Sequence, residues 1–183
     1  NERVRFLTDQ ERMKLLTACK RSEWSSLYLI VLMAITTGAR RSELLNLTWD
    51  DIDIERKSAH VKNSKNGEPR MLPLITYVLN ELLVVMMHQL SNLVFPSELR
   101  PDKPFDFRKH WFKAVKEARL GDFRFHDLRH TCASYLAQNG ATLLEIADVL
   151  GHKQIEMTKR YSHLCVEHKS KLINSVMSGI SGK

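Results

Sequence analysis

Between His126 and His163 the chain reads HDLRHTCASYLAQNGATLLEIADVLGHKQIEMTKRYSH, and its punctuation admits few folds. Leu128, Cys132, Tyr135 and Leu136 recur at helical spacing and give one buried side. Gly140 suits the stop of that helix. Thr142 followed three residues later by Glu145 is a capping-box pattern that opens a second helix. Leu143, Ile146, Ala147 and Leu150 form its apolar stripe. Gly151 ends it and leaves His152 at an exposed corner, and a third helical run carries Tyr161. His126 and Arg129 are three apart, so they share one face of a first helical turn. Two histidines, an arginine and a tyrosine thus stand at element ends, where side chains can converge. The set suits a tyrosine nucleophile acting on a phosphate diester held by cationic donors.

The preceding sequence supplies a scaffold. Thr8 and Glu11 predict a helix to about Lys20. Trp24 to Thr36 is apolar nearly all round and predicts the core helix, with Gly38 as its stop. Arg40 lies just beyond, and RRSELLNL begins another short helix. Ile52 and Ile54 alternate with acids, as in a strand. Ser58 to Lys62 is a second strand, Asn66-Gly67 a two-residue hairpin turn, and Met71, Leu72 and Leu74 a third strand, kept at an edge by Pro73. Tyr77 to Leu90 predicts a helix with Leu79, Leu82, Leu83, Met86 and Leu90 inward. A proline-marked loop leads to a helix buried through Phe107, Trp111, Val115 and Ala118, whose other side carries Arg108, Lys109, Lys113 and Lys116. Leu164, Val166, Leu172, Ile173 and Val176 suggest one more amphipathic helix. The whole reads as a single α+β domain over 1–183, mainly α with a small antiparallel β-sheet.

Bulk properties narrow the class. The longest apolar run, Leu27 to Ile35, is too short to span a bilayer. No signal peptide is visible. The first residue is Asn1 rather than methionine, so this is expected to be the C-terminal part of a longer protein. A net charge of +7 favours a polyanion partner without singling one out. Cys19, Cys132 and Cys165 are far apart and on apolar positions, which predicts reduced, buried thiols. Without CxxC or HExxH, no metal site is expected.

On spacing alone, Arg40 reads as a surface arginine beside Arg41, Glu43 as an exposed helix glutamate, and Lys65 as a solvated turn lysine. Family resemblance changes those readings. HDLRH, then LGH, then Tyr161 nine residues after His152, together with TTGARRSELLNLTWDDID and SKNG upstream, resembles the tyrosine recombinase (phage integrase) family. The likeness runs from about Thr8 to about Leu164 and is strongest toward temperate-phage integrase catalytic domains. It implies the tyrosine-recombinase catalytic-domain fold, with Arg40, Lys65, His126, Arg129 and His152 around the nucleophile Tyr161.

The chemistry then follows. A free tyrosine has a pKa of ~10, so activation at pH 7 must overcome roughly 4 kcal/mol. A base must take its proton, or cations must stabilise the phenolate. Arg40 and Arg129 are the natural pair for the charge that builds on the phosphoryl oxygens. The family pattern makes His126 the better base candidate, His152 a phosphate donor and Lys65 the acid for the leaving 5′-oxygen. Glu43 is expected to orient Arg40 or a neighbouring histidine; His130 supports at best, and His163 has no role assigned. The resemblance further implies phage integration and excision through a 3′-phosphotyrosine linkage and a free 5′-hydroxyl, with no cofactor. Its partners would be double-stranded DNA at specific attachment sites and copies of itself, as a dimer, and as a tetramer in the synapse, with the 165–183 tail packing on a neighbour. Host bending or excision-directing proteins would assist, no membrane is involved, and the setting is the bacterial cytoplasm and nucleoid. Three rivals remain. The stretch Thr142 to Tyr161 has the outline of a helix-turn-helix regulator, with Lys153, Gln154 and Lys159 toward bases. A type IB topoisomerase would use the same residues, and an inactive accessory domain could carry them unused.

Overall fold

The run LYLIVLMAITT forms α2 (Leu27–Thr37), and the rest of the chain packs around it. All but one of its residues are buried, which fits a helix with no polar face. Gly38, at φ 64°, supplies the left-handed residue that ends it. The computed structural model describes residues 5–62 and 69–180. Helix α1 (Asp9–Lys20) opens with the Thr8–Glu11 capping box and lies against α2. A short α3 (Arg41–Leu45) follows Gly38. Strands β1 (Ile52–Asp53), β2 (Ser58–Val61) and β3 (Arg70–Pro73) then form an antiparallel sheet in sequence order. Ala59 stands opposite Ile52 and Leu72, and the inward Ala59, Val61 and Leu72 of β2 and β3 meet the core. Pro73 lies on an edge strand, where a missing N–H is tolerated. The Asn66-Gly67 turn and Lys65 fall outside the described residues.

Helices α4 (Thr76–Met86), α5 (Arg108–Glu117), α6 (Asp127–Gln138) and α7 (Leu143–Leu150) complete the scaffold. Helix α6 packs on α2 and is held from the other end of the chain. Thr131 Oγ1 accepts from Leu7 N at 3.1 Å, and the Tyr135 hydroxyl donates to Leu7 O at 3.1 Å. Trp24 stacks on Phe105 and Phe107, tying the loop before α5 into the core. Leu15, Ile30, Leu44, Leu72 and Leu128 are fully enclosed; truncating one such side chain to alanine costs about 2–5 kcal/mol. The cysteines are free and buried. Among the described residues no helix is long and apolar enough to cross a membrane.

Several elements differ from their sequence outlines. Helix α4 stops at Met86, and Leu83 and Leu90 are 43% and 61% exposed. Its inward stripe is Val78, Leu79 and Leu82, one position round from the expected one. The chain is drawn back because Trp49 N donates to Asn92 O and Val94 N to Leu47 O, each at 2.9 Å. Strand β1 ends before Ile54, which enters the turn at Lys57. Helix α6 is buried nearly all round, Arg129, His130, Thr131 and Ser134 included, because it sits between α2 and the last segments of the chain. Beyond Gly151 there are two 3-10 segments, Ile155–Met157 and Lys159–Cys165, rather than a recognition helix. A last helix, α8 (Val166–Met177), leaves Val166, Leu172, Ile173 and Val176 more than half exposed.

Candidate active site

Arg40 is fixed by its place in the chain. It caps α3 two residues after the Gly38 stop. Glu43 Oε2 accepts from its backbone N at 2.7 Å, and Glu43 Oε1 from its Nη1 at 2.8 Å. The same carboxylate reaches across the fold to Arg70 of β3, whose Nη2 donates to Oε2 at 2.7 Å. Arg70 also donates from Nη1 to the Val149 carbonyl of α7. Side-chain exposures of 14%, 1% and 11% for Arg40, Glu43 and Arg70 make this a largely enclosed triad with a buried carboxylate at its centre. Burial alone would raise the Glu43 pKa, but hydrogen bonds from Arg70 and Arg40 outweigh it and hold the carboxyl below its ordinary value. Two cations on one carboxylate leave a surplus positive charge.

Arg129 projects from α6 toward the same place. Its Nη1 donates to Gly38 O at 2.7 Å, so the turn that ends α2 also aims this guanidinium. Its Nη2 is buried and has no hydrogen-bond partner among the described residues. An orphaned charged donor carries a desolvation penalty that an incoming anion relieves. Burial, with Arg40 and Arg70 adding, pushes its pKa down to about 10, so it stays a cation at neutral pH.

The third side comes from after α7. Gly151, at φ 64°, turns the chain, and a Cβ there would meet Arg70 Cδ at 2.8 Å. His152 follows, its Nδ1 2.8 Å from Thr158 Oγ1, which fixes the ring and turns Nε2 free of that bond. Tyr161, three residues beyond Thr158, is 1% exposed. Its hydroxyl lies 2.6 Å from His130 Nδ1. His126, at the start of α6, sets its ring edge-on to His130 at 5.2 Å.

A cleft of about 260 Å³ is lined by Arg40, His126, Arg129, His130, His152, Met157, Arg160 and Tyr161. None of these lining residues is acidic. Burial, and then neighbouring cations, hold the histidines neutral at pH 7: His126 below its ordinary value, His152 at about 4. For His130, also at about 4, burial comes first and His126 second. Neutral imidazoles beside buried guanidiniums offer donors to an oxyanion and leave ring lone pairs for a proton.

Six residues singled out in the sequence therefore meet around one cleft, and Glu43 braces it from behind. Lys65 lies outside the described residues. Among the described residues, Glu43 orients Arg40 and Arg70, and no histidine. Arg70, Thr158 and Arg160 were missed by the sequence reading. Nothing in the spacing of Arg70 pairs it with Glu43, 27 residues away. Thr158 carries a weak signal, a hydroxyl one turn before Tyr161.

The chain matches the model of the phage integrase family over residues 5–168. It is 36% identical to the integrase of Salmonella phage P22, over 92% of this chain and 46% of that protein. It is 35% identical to the shufflon-specific DNA recombinase of Escherichia coli, over 88% of this chain and 41% of that one. The chain thus spans somewhat under half the length of these two relatives. Among solved structures, the catalytic domain of bacteriophage HP1 integrase superposes with a TM-score of 0.74 at 28% identity, covering 94% of this chain and 95% of that domain.

Proposed function

This chain belongs to the phage integrase family, and from that premise we propose that it is the strand-cleaving and rejoining domain of a site-specific recombinase acting on double-stranded DNA. The observation that carries this reading is the cleft itself. Arg40, Arg129, His126, His152 and Tyr161 come from three distant stretches and line one anion-sized space, with a buried Arg129 donor unpaired.

On this reading a backbone phosphate sits between Arg40 and Arg129, with His126 and His152 donating to its non-bridging oxygens. Tyr161 Oη gives up its proton to an imidazole of the cleft and attacks phosphorus, the bond to the 5′-oxygen breaks, and Lys65 supplies the proton to that oxygen. A 3′-phosphotyrosine linkage and a free 5′-hydroxyl result. The linkage conserves the energy of the broken bond, so attack by another 5′-hydroxyl rejoins strands without nucleotide hydrolysis. Preorganised cations act where charge develops and need no reorganisation during the step.

Incubation with a pool of nicked duplexes of randomised sequence tests the reading, because the short 5′-hydroxyl strand diffuses away and traps the adduct. The intact chain gives a denaturant-resistant protein–DNA band, and Tyr161→Phe gives none. An adduct that survives the substitution removes Tyr161 as nucleophile; no adduct from the intact chain removes the reading. Exchange between two labelled duplexes separates a recombinase from a type IB topoisomerase, which relaxes one duplex alone.

The exposed apolar face of α8 supports a second part of the proposal: a neighbouring copy covers it, as dimer or synaptic tetramer. Light scattering of a chain ended after Cys165 checks this on the assembled DNA complex. An unchanged assembly state counts against it.

A further inference from the structure

We propose that His130 is a catalytic residue of this chain, its Nδ1 taking the phenolic proton as Tyr161 Oη attacks phosphorus and returning it when the strand is rejoined. The inference rests on the strand-cleavage reading above and names a base for it, a role the family pattern suggests for His126.

Geometry comes first. His130 Nδ1 and Tyr161 Oη are 2.6 Å apart, well within the reach a general base needs. Both side chains are buried, so water does not compete for the contact. His130 is one helical turn beyond His126 on α6, and its ring position is set by a helix packed on α2 and tied to Leu7. His126, by contrast, is exposed at the cleft wall, which suits contact with the phosphate.

Charge gives the direction of transfer. The groups facing His130 are His126, Asp127 and Arg129 from α6 and Arg160 and Tyr161 from the 3-10 segment, while Arg40 and His152 close the same cleft. With the cleft empty, burial and these cations keep the imidazole neutral, and a tautomer protonated at Nε2 leaves the Nδ1 lone pair for the hydroxyl. A phosphodiester brings negative charge that grows during attack, which favours an imidazolium beside it. The bookkeeping closes: the Oη–H and P–O5′ bonds break, the Nδ1–H and Oη–P bonds form, and Lys65 protonates O5′.

The test is the pH dependence of adduct formation, using the nicked duplexes selected by the intact chain. His130→Asn keeps a hydrogen-bonding atom near the Nδ1 position but cannot take up a proton. Its rate at pH 7 is expected to fall about a hundredfold, the lower range for general-base catalysis. The deficit narrows as pH rises toward the tyrosine's own pKa of ~10, because the phenolate then forms unaided. In His130→Ala, free imidazole restores part of the rate. Thermal melting of both variants confirms that they fold. Four results overturn the proposal. A His130→Asn rate within threefold of the parent, with Tyr161→Phe inactive, leaves strand cleavage intact and removes His130 as base. A loss equal at every pH and not rescued by imidazole assigns a structural role. A faster His130→Ala makes the bond a restraint on Tyr161. No adduct from any form removes the strand-cleavage reading itself.

Discussion

The cleft has two unlike walls. The arginine wall is built on the large core: Arg40 follows the stop of α2, Arg129 reaches back to Gly38 O, and Glu43 ties Arg40 to Arg70. The tyrosine wall rests on a separate small cluster of Ala133, Ala137, Ile146, Leu150, Tyr161 and Cys165. Its last part, which carries Tyr161 and Cys165, is 3-10, whose runs are short and whose hydrogen bonds are poorer than those of an α-helix. Cations that must grip a phosphate gain from rigidity, since a guanidinium fork is useful only at fixed aim. A nucleophile must move toward phosphorus and back again. On the proposed reading, grip falls to the arginine wall and movement to the tyrosine wall.

Removing the central carboxylate should strain that contrast most. Glu43→Ala leaves the largely enclosed Arg40 and Arg70 without their counter-charge, and the loss is expected at about 3 kcal/mol, the low end for a buried pair, read by urea denaturation. A loss under 1 kcal/mol would mean that the arginine wall is not braced by this triad.

Acid should separate the walls next. His130 and His152 are held at about 4, below the ~6.5 of an unfolded histidine. Their unfolded forms therefore bind protons first as pH falls. The stability they confer is complete above pH ~6.5 and is lost progressively toward pH 4. Glu43 is shifted the same way from a lower starting point, the ordinary value of 4.5, so the arginine wall still holds at pH 5. Amide exchange at pH 7 and pH 5 should show residues 141–165 loosening while α2 stays protected. Equal loosening would erase the distinction.

Gly151→Ala tests the seam. A left-handed alanine costs about 1–2 kcal/mol, and its Cβ would displace the Arg70 side chain. A lower melting temperature with weakened adduct formation is expected, whereas an unchanged rate would uncouple Arg70 from the site. The smallest change is Thr158→Val, which keeps the volume but removes the hydroxyl that steadies His152. About 1 kcal/mol of stability is at stake. Because His152 faces the phosphate on the proposed reading, the adduct rate should fall more than stability does. A rate that tracks stability alone would make Thr158 a packing residue.

The two walls also differ in how far they could be read. Gly38, the Thr8 and Thr142 caps and the Gly151 turn were legible because each rests on local backbone chemistry. So was the α6 face carrying His126 and Arg129, two residues a helical turn apart. Sequence spacing places the α4 stripe one position off because Leu83 and Leu90 are as apolar as the residues that are buried, and only packing chooses between them. The run holding Tyr161 reads as helical in sequence, but its 3-10 form depends on docking against α6 and α7.

Local sequence thus determined which residue types stand at which turn, since caps, glycine stops and apolar periodicity act over a few residues. That was enough to nominate Arg40, His126, Arg129, His152 and Tyr161. Only the tertiary structure decided that Glu43 would share itself between Arg40 and Arg70, or that His130 rather than another histidine would meet the Tyr161 hydroxyl. Those pairings span 27 and 31 residues of chain. No short-range rule reaches that far, because the distance between such groups is set by how α2, α6 and the sheet pack.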